Sequence, residues 1–501
     1  MTMSMRLRRT ALLLLAATAA APLPMRAQAR PGTPPPALAP RTRWEAQARA
    51  MLKELVEINT THSVGNTVTA AEAMAKHMRA AGFPSEDVIV VENAPRKGNL
   101  VVRYRGRNTG RKPILLLSHI DVVEADPKDW TLPPFEFIER DGIFYGRGVA
   151  DDKDESAMHL TILLRMKAEG VVPDRDIIVA LTADEEGGPH NGVDWILRNR
   201  PELLQAEYAF NEGGGGRTEE GKKVSNDVQA SEKKVANFTL TATNSGGHSS
   251  VPRPDNAIYQ LAAALDRMGK YHHPVHLNEI TREYFRRQSA IVGGETGAAM
   301  RRIVADPRDS AAAATISRDP ANNSRLRTTC VATMLSGGHA MNALPQRATA
   351  TVNCRILPDE TQAEVQARII AAVADTGVKV TVEREAADSP PSPLTPELLK
   401  AIEETTREMW PNMPVVPTMS TGATDGRYLR NAGIPVYGVS GLFYANPNAH
   451  GMNEKIEVKE FYEGLEFMYR PARSPSRGSP HRAPRRRSRT RPGTRPSARH
   501  R

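Results

Sequence analysis

The stretch that decides the fold of this 501-residue chain is Ile114-Leu115-Leu116-Leu117-Ser118-His119-Ile120-Asp121. Four apolar residues in a row are typical of a strand that is buried on both faces, and this run ends in His-x-Asp. Ligands bind at the carboxyl ends of parallel strands in α/β sheets, so we expect His119 at a ligand-binding edge. Asp121 follows two residues later and can orient the imidazole from behind.

Other strand patterns along the chain also end in acids or in histidine. They are residues 177–181 before Asp184-Glu185-Glu186, residues 208–210 before Asn211-Glu212-Gly213, and residues 434–439 before Ala449-His450-Gly451. Asp151 follows a further turn, Gly146-Arg147-Gly148. Acids and histidines that recur after several buried strands indicate a functional site rather than exposed loop residues. Asp184-Glu185-Glu186 taken alone also fits an exposed acidic turn.

Strand and helix patterns alternate up to residue 215, which predicts an α/β domain with a mostly parallel sheet and helices on both faces. The pattern changes near Lys233, because residues 235–243 alternate as in a half-buried antiparallel strand. We therefore predict a main domain in two parts, residues 44–232 and 386–469. An α+β domain is inserted between them at residues 233–385.

The two ends of the chain differ from its body. Residues 1–29 have a basic start, an apolar run and a small-residue cleavage motif, which predict a cleaved signal peptide. Residues 30–43 are a Pro-rich lead-in. Export predicts a periplasmic or secreted protein with no membrane association beyond the signal peptide. Residues 470–501 hold twelve arginines and six prolines without any acid, a composition that predicts disorder.

The formal net charge of +10 comes from these ends. The twelve arginines of the tail and the four of residues 1–29 together exceed it, so the body of the chain is acidic overall. The tail also lacks the interleaved aromatic residues on which single-stranded nucleic acids stack. We therefore expect no nucleic-acid partner.

Only two cysteines occur, Cys330 and Cys354, in strand patterns on either side of the turn at Gly337-Gly338. They can face each other across a hairpin, and an exported protein permits a disulfide. Directly paired strand positions are nevertheless a poor geometry for that bond. We therefore favour two buried free thiols, with the disulfide as the alternative.

Five side chains at the strand ends have the composition of a metal site. They are two imidazoles and three carboxylates: His119, Asp151, Glu186, Glu212 and His450. Zinc accepts this mixture, whereas calcium and magnesium prefer oxygen ligands alone. Five ligands are too many for one tetrahedral ion and suit two zinc ions about 3.5–4 Å apart, bridged by a carboxylate. Glu185 can then act as general base on a shared water molecule.

Together these residues lie in motifs that resemble those of the M20 family of metallopeptidases, which includes carboxypeptidases, dipeptidases and aminoacylases. The seven motifs are Ser118-His119-Ile120-Asp121, Gly146-Arg147-Gly148 with Asp151 to Lys153, Asp184-Glu185-Glu186-Gly187, Asn211-Glu212-Gly213, Gly246-Gly247-His248-Ser249-Ser250-Val251-Pro252, Asn342-Ala343-Leu344-Pro345 and Ala449-His450-Gly451. The resemblance runs from about Trp44 to Tyr469. It implies a zinc-peptidase-like catalytic domain and an inserted dimerisation, or lid, domain.

The resemblance also implies how the metal set divides between two zinc ions per subunit. Asp151 would bridge the two ions. One ion would be completed by His119 and Glu212, and the other by Glu186 and His450. Asp121 would orient His119, and Glu185 would be the catalytic acid and base.

Four residues outside the metal set receive roles from the same resemblance. His248 would reach the active site of the partner subunit in a homodimer and stabilise the developing oxyanion. Asn342 and Arg355 would bind the carboxylate end of the substrate, and Asp425 would lie in a further active-site loop. The residues alone leave simpler interpretations open. His248 also fits a turn, Arg355 an ion pair with a structural acid, and Asp425 a helix N-cap.

We therefore expect a dinuclear zinc hydrolase that cleaves an amide bond next to a free carboxylate in dipeptides or short peptides, as a carboxypeptidase or dipeptidase. The alternative is a deacylase of the aminoacylase type that acts on N-acyl amino acids. A metal-binding relative without activity is disfavoured, because such a protein would be free to lose Glu185.

Overall fold

The computed structural model describes residues 40–108 and 110–473. The predicted signal peptide, most of the lead-in and residues 474–501 of the predicted tail lie outside the described residues. Within the described part, no helix combines the length and the apolar character that a membrane crossing needs. Residues 470–473, which we assigned to the tail, still belong to the last helix.

The first part of the main domain contains the elements α1 (Arg43–Glu57), α2 (Thr67–Ala80), β1 (Val88–Ala94), β2 (Lys97–Tyr104), β3 (Ile114–His119), β4 (Ile138–Arg140), β5 (Ile143–Tyr145), α3 (Lys153–Ala168), β6 (Ile177–Thr182), α4 (Gly192–Asn199), β7 (Tyr208–Asn211), β8 (Gly215–Glu219) and β9 (Lys222–Glu232). The middle of the chain contains β10 (Lys234–Thr243), β11 (Gly247–His248), α5 (Ala257–Lys270), α6 (Glu279–Val292), α7 (Gly294–Ala305), α8 (Ser310–Ile316), α9 (Pro320–Leu326), β12 (Thr329–Gly337), β13 (Ala343–Leu344), β14 (Arg347–Ile356), α10 (Gln362–Val373) and β15 (Val378–Arg384). The last part contains α11 (Pro396–Met409), β16 (Val415–Ser420), α12 (Gly426–Asn431), β17 (Val436–Gly438), β18 (Lys455–Glu457) and α13 (Val458–Arg473).

A nine-stranded sheet organises the main domain, in the order β1-β2-β6-β3-β7-β17-β9-β16 with β8 beside β9. Its central strands β6, β3, β7 and β17 are parallel, and antiparallel pairings flank them on both sides. Alternate residues of β3 enter two different cores. Leu116 packs under α1, α2 and α3, whereas Leu115 and Leu117 pack under α4. The α/β fold predicted from the apolar run at residues 114–117 is therefore confirmed.

The register of the central strands brings three predicted ligand-bearing ends to one edge of the sheet. His119 is the last residue of β3 and lies opposite Thr182, the last residue of β6. Leu116 lies opposite Phe210, so β7 ends at Asn211 on the same side. Parallel strands place their carboxyl ends together, and this geometry positions the site.

The middle of the chain forms a second, antiparallel sheet in the order β12-β14-β10-β15. Helices α5 and α10 pack on this sheet over a separate apolar core. A short two-stranded ribbon, β11 with β13, extends from it and carries His248 opposite Ala343. These elements agree with the α+β character that the sequence predicts from residue 233 onward.

Helices α6 to α9 lie within the predicted insertion but were not predicted from the sequence. Their apolar core, which includes Phe285 and Met300, also contains Val416 of the edge strand β16. Arg287 reinforces the contact by donating to the carbonyl of Val415 at 2.8 Å and to the carboxylate of Glu403 at 2.7 Å. The insertion therefore consists of an α+β part and a helical part that packs on the large sheet.

Cys330 and Cys354 form a disulfide, so our preference for two free thiols was wrong. The two residues are direct partners in the β12–β14 ladder, with their Cα atoms 4.1 Å apart. Antiparallel pairs that do not exchange hydrogen bonds have this close spacing, which brings their side chains together. The bond fastens the edge strand β12 to the sheet.

Candidate metal centre and active site

The five predicted metal ligands lie together at the carboxyl edge of the large sheet. His119 ends β3, Glu186 lies in the turn after β6, and Glu212 directly follows β7. Asp151 precedes α3, and His450 comes from the loop between β17 and β18. The sheet therefore collects side chains that are more than 300 positions apart in the sequence.

The five side chains form two groups that share one carboxylate. In the first group the donor atoms of His119, Asp151 and Glu212 all lie within 4.8 Å of one another, and in the second those of Asp151, Glu186 and His450 do. The Nε2 atoms of His119 and His450 each lie 3.1 Å from a different oxygen of Asp151. The same Nε2 of His450 lies 3.0 Å from the carboxylate of Glu186.

The electrostatics of the cluster follow from packing acids and imidazoles together. Burial pushes the pKa of Asp151 upward, but the bonds from His119 and His450 lower it overall. Contacts with Asp151 and Glu186 raise the pKa of His450 to about 10. Burial raises the pKa of Glu212 well above its usual range, and the Glu185 charge adds to that effect. Three ionised carboxylates in a confined, partly buried volume repel one another, so cations are needed to stabilise their charged forms.

This donor set fits divalent metal ions. Each group supplies one imidazole nitrogen and two carboxylates, which are ligands that zinc accepts. The carboxylate of Asp151 belongs to both groups and presents one oxygen to each imidazole. A bridging carboxylate has this arrangement in two-metal sites.

A buried ion pair between Lys97 and Asp184 holds the start of the turn that carries Glu185 and Glu186. Lys97 of β2 lies 2.5 Å from the carboxylate of Asp184, and both side chains are almost fully buried. Asp184 has a positive φ of 58°, so the chain bends sharply as it leaves β6. A non-glycine residue in this region of backbone space is held there by its surroundings.

Asp121 acts on the site differently from the sequence prediction. The Nδ1 of His119 lies 3.0 Å from the backbone carbonyl of Asp121 and 3.7 Å from its carboxylate. The carboxylate instead accepts hydrogen bonds from the backbone N–H groups of Glu185 at 3.1 Å and Glu186 at 3.0 Å. The residue thus orients the imidazole through its main chain and the acidic turn through its side chain.

Glu185 lies beside the metal-ligand cluster. Burial raises the pKa of its carboxyl group well above the usual range, and the nearby Asp425 charge adds to the effect. A carboxyl group with a raised pKa is suited to accept and return a proton.

A buried ion pair that the sequence analysis did not single out joins two of the site loops. Arg147 lies 2.7 Å from Glu454, and the two side chains are 2% and 0% exposed. Glu454 also accepts from the backbone N–H groups of Gly148 at 3.0 Å and Ala150 at 2.9 Å. Arg147 donates in turn to the carbonyl of Gly451 at 3.1 Å. The pair therefore holds the loop before Asp151 against the loop of His450. The sequence signals for this pair were Arg147 within the motif Gly146-Arg147-Gly148 and an acid four residues after His450.

Asp425 is buried, so the structure does not present it to solvent as a substrate-binding group. It accepts hydrogen bonds from Asn191 at 2.5 Å and Thr182 at 3.4 Å, and burial raises its pKa to about 6. It occupies the N-cap position of α12, as the simpler interpretation expected, but its side chain makes no capping hydrogen bond. Glu232 fixes the same loop from behind, because it accepts from the N–H and hydroxyl of Thr424.

The remaining predicted residues lie on the inserted segment. Arg355 of β14 is partly buried and donates to the carbonyl of Thr421 at 3.4 Å, and none of the described carboxylates lies within 4.0 Å of it. The alternative of a structural ion pair at Arg355 is therefore wrong for the described residues. His248 and Asn342 are exposed on the β11–β13 ribbon, where His248 bonds Ser250 at 2.6 Å. The single chain does not bring His248 to the metal-ligand cluster by any described contact.

Comparison with known proteins agrees with this architecture. Residues 115–474 match peptidase family M20/M25/M40. The N-fatty-acyl-amino acid synthase/hydrolase PM20D1 of Homo sapiens is 30% identical over 440 residues, which cover 83% of this chain and 86% of that protein. Probable carboxypeptidase S-like 2 of Dictyostelium discoideum is 28% identical over 404 residues, covering 77% and 76% respectively. A solved M20 family metallo-carboxypeptidase from Sulfolobus solfataricus shares the fold, with a TM-score of 0.63 at 18% identity, covering 85% of this chain and 98% of that one.

The fold, the clustered ligands and these relatives define the class of protein: a metal-dependent hydrolase that acts on amide bonds. The chain belongs to peptidase family M20/M25/M40. The resemblance expected from the seven sequence motifs is thereby confirmed.

Proposed function

We propose that this protein is a dinuclear zinc carboxypeptidase or dipeptidase, which cleaves the amide bond next to a free carboxylate in short peptides. The observation that carries the proposal is the position of Asp151 in both ligand groups. His119 and Glu212 would hold one ion together with Asp151, and Glu186 and His450 would hold the other with it. When bound, zinc supplies Lewis acidity that activates a water molecule and polarises the scissile carbonyl.

The proton transfers of the reaction fall to Glu185. Its carboxylate accepts a proton from the attacking water and returns it to the departing amine, which is general base followed by general acid catalysis. Burial holds the pKa of Glu185 above its ordinary value, which makes its carboxylate a stronger base toward the water. Asp121 keeps Glu185 in position through the backbone hydrogen bond at the turn.

Arg355 and Asn342 are proposed to bind the carboxylate of the substrate. A guanidinium without a carboxylate partner among the described residues suits a planar carboxylate, to which it can donate two parallel hydrogen bonds. The relative from Dictyostelium is named a probable carboxypeptidase, which agrees with recognition of a free C-terminus. The human relative is named an N-fatty-acyl-amino acid synthase/hydrolase, and this name supports the alternative of N-acyl amino acids as substrates.

A homodimer is proposed to form through the edge strand β12. That strand exposes Val331, Met334 and Leu335, with exposed fractions of 57%, 69% and 71%. An apolar edge strand with unpaired main-chain groups is a template for pairing with a second chain. Dimerisation is proposed to bring the partner's exposed ribbon, with its copy of His248, near this active site. Export to the periplasm or the medium is proposed from the N-terminal sequence pattern.

The test combines metal analysis with a substrate panel. Zinc-replete protein should contain close to two zinc ions per chain by elemental analysis, and protein without bound metal would refute the metal assignment. The panel compares dipeptides, the same dipeptides with an amidated C-terminus, and N-acetyl amino acids. Cleavage of free dipeptides alone supports the proposal. Equal cleavage of amidated peptides would refute carboxylate recognition by Arg355, and turnover of N-acetyl amino acids alone would establish the deacylase.

A further inference from the structure

A cavity of about 210 Å³ lies where the inserted segment joins the main domain. Two segments that connect them contribute its walls: residues 232–235, at the junction of β9 and β10, and residues 384–389, at the end of β15 and beyond. Ala423 and helix α12 of the main domain close it. One water molecule needs about 10–15 Å³ of such space, so this cavity admits a small molecule. None of the five metal ligands, and neither residue proposed to bind the substrate carboxylate, lines it.

Two arginines line the cavity, one from each side of the junction, and neither has an acidic partner. Arg384 ends β15 and is exposed, and its side chain makes no hydrogen bond with any described residue. Arg427 of α12 is half-buried, and its Nη2 donates to the hydroxyl of Tyr428 at 2.8 Å. No described carboxylate lies within 4.0 Å of either guanidinium, and Asp425 and Glu185 act on Arg427 only from a greater distance. A guanidinium has five N–H donors, so both arginines keep donors for a ligand.

The charged groups on the wall give the cavity an excess of positive charge. The carboxylate of Glu232 is fully buried and lies 3.0 Å from Arg430, so its charge is already matched. The charge of Lys234 is matched in turn by Asp388, at 3.2 Å. Glu385 then remains as one acid against the two arginines. An excess of positive charge beside a cavity attracts anions.

Further cations are crowded behind this wall. The Nζ of Lys233 donates to the carbonyl of Arg327 at 2.7 Å. Burial lowers the pKa of Lys233 to about 7, and the charge of Arg355 acts in the same direction. Burial also lowers the pKa of Arg355, and the charge of Arg384 adds to that effect. These like charges repel one another, and a bound anion would reduce the repulsion.

These groups determine the chemistry of the ligand. Arg384 and Arg427 can each donate to the oxygens of a carboxylate, sulfate or phosphate, with which a guanidinium forms charge-assisted hydrogen bonds. The hydroxyl of Tyr428 also lines the cavity and donates to no acceptor in the described part of the chain, so it can add a further bond. An apolar or cationic molecule would leave all of these donors unpaired. The cavity therefore suits a small oxyanion.

We propose that this cavity binds a small oxyanion, of the dicarboxylate, sulfate or phosphate class, between Arg384 of the inserted segment and Arg427 of the main domain. The bound anion connects these two parts of the chain by accepting hydrogen bonds from both. The proposal does not depend on hydrolysis, because the cavity is separate from the metal-ligand cluster. Failure of the proposed function leaves it intact, and its own failure leaves the proposed function intact.

The test is calorimetric titration of the zinc-replete protein with sulfate, with succinate and with acetate, at constant ionic strength. Sulfate or succinate should bind, and acetate should bind more weakly because it carries a single charge. Arg384→Gln should weaken the binding by about tenfold or more, because it removes charge-assisted hydrogen bonds. Tighter binding of sulfate supports a tetrahedral ligand such as phosphate or sulfate, and tighter binding of succinate supports a dicarboxylate.

Arg347→Gln is the matched control, because Arg347 is an exposed arginine of the same inserted sheet that does not line the cavity. It should leave the binding unchanged. Binding of none of the three anions to the wild-type protein would overturn the proposal. Equal binding by the wild-type protein and Arg384→Gln would also overturn it, since that anion would lie elsewhere, for example on zinc. An equal loss in both variants would show a general effect of charge and would overturn it as well.

Amide hydrogen exchange of the wild-type protein locates the bound anion without any substitution. At a concentration of the better-binding anion about ten times its Kd, exchange through opening of residues 232–235 and 384–389 should slow by about tenfold, because the anion stabilises the closed arrangement of these segments. This protection should be lost in Arg384→Gln. Protection confined to other segments would overturn the proposal, even where the titration shows binding.

Discussion

Replacing Glu454 by Gln tests how strongly the site depends on the buried pair with Arg147. Glutamine keeps the size of the side chain and one carbonyl oxygen, but it removes the negative charge. Arg147 is 2% exposed and would then be a buried cation without its counter-charge. One of the two backbone N–H groups, on Gly148 or Ala150, would also lose its acceptor.

The expected cost follows from this burial. Removing one partner of a buried ion pair destabilises a protein by about 3–5 kcal/mol, because the other charge stays desolvated. We expect about 3 kcal/mol for Glu454→Gln, at the lower end of that range, since the amide oxygen still accepts one hydrogen bond. The pair also joins the loops of Asp151 and His450. Zinc affinity should therefore fall by about tenfold or more, as it does when supporting groups of metal ligands are removed.

The assay is urea unfolding of the zinc-free protein, together with competition for zinc against a chromophoric chelator. The control is Glu295→Gln, which removes an acid from the exposed pair with Arg318, where both side chains are 70% exposed and 3.2 Å apart. Exposed pairs contribute at most about 1 kcal/mol, so the control should change little. An equal, small loss of stability in both variants would refute the reasoning, as would unchanged zinc affinity in Glu454→Gln.

Three further predictions concern the site and the proposed dimer. Glu185→Gln should lower turnover by about a hundredfold or more while zinc content stays the same, because the residue moves protons rather than holding metal, and loss of zinc in this variant would contradict the assignment. Asp121→Asn should weaken zinc binding by about tenfold in chelator competition, because an amide nitrogen cannot accept from the backbone N–H groups of the acidic turn; wild-type affinity would show that those bonds are dispensable. Leu335→Glu should convert the dimer to monomer in sedimentation at micromolar concentration, while Val64→Glu, at an equally exposed position outside β12, should not; a dimer that persists in Leu335→Glu would place the interface elsewhere.

The sequence predicted the parts of the fold that short patterns encode. The apolar run at residues 114–117 identified a strand buried on both faces, and the alternation at residues 235–243 identified strand β10, which covers Lys234–Thr243. The five metal-type residues followed from their positions after strands. The shared edge of a parallel sheet then explains why they meet.

The rest depends on contacts between distant segments. No local pattern shows that Phe285 of α6 packs against Val416, because that core forms only when β16 is in place. The backbone carbonyl of Asp121 contacts His119, and its carboxylate is therefore free to accept hydrogen bonds from the backbone N–H groups of residues 185 and 186. The Cys330–Cys354 bond depends on the spacing of one residue pair, which the sequence pattern does not give.

The packing of helices α6 to α9 on β16 limits how this enzyme can open and close. Arg287 and Val416 attach this part of the insertion to the catalytic sheet, so it cannot rotate as one body with the rest. A hinge motion can carry only the four-stranded sheet, its two helices and the ribbon with His248. Its pivots must lie where the chain enters and leaves that part, at residues 232–234, 271–278, 326–329 and 384–395. Because four connecting segments join this part to the rest of the protein, a small displacement is favoured over a wide rotation.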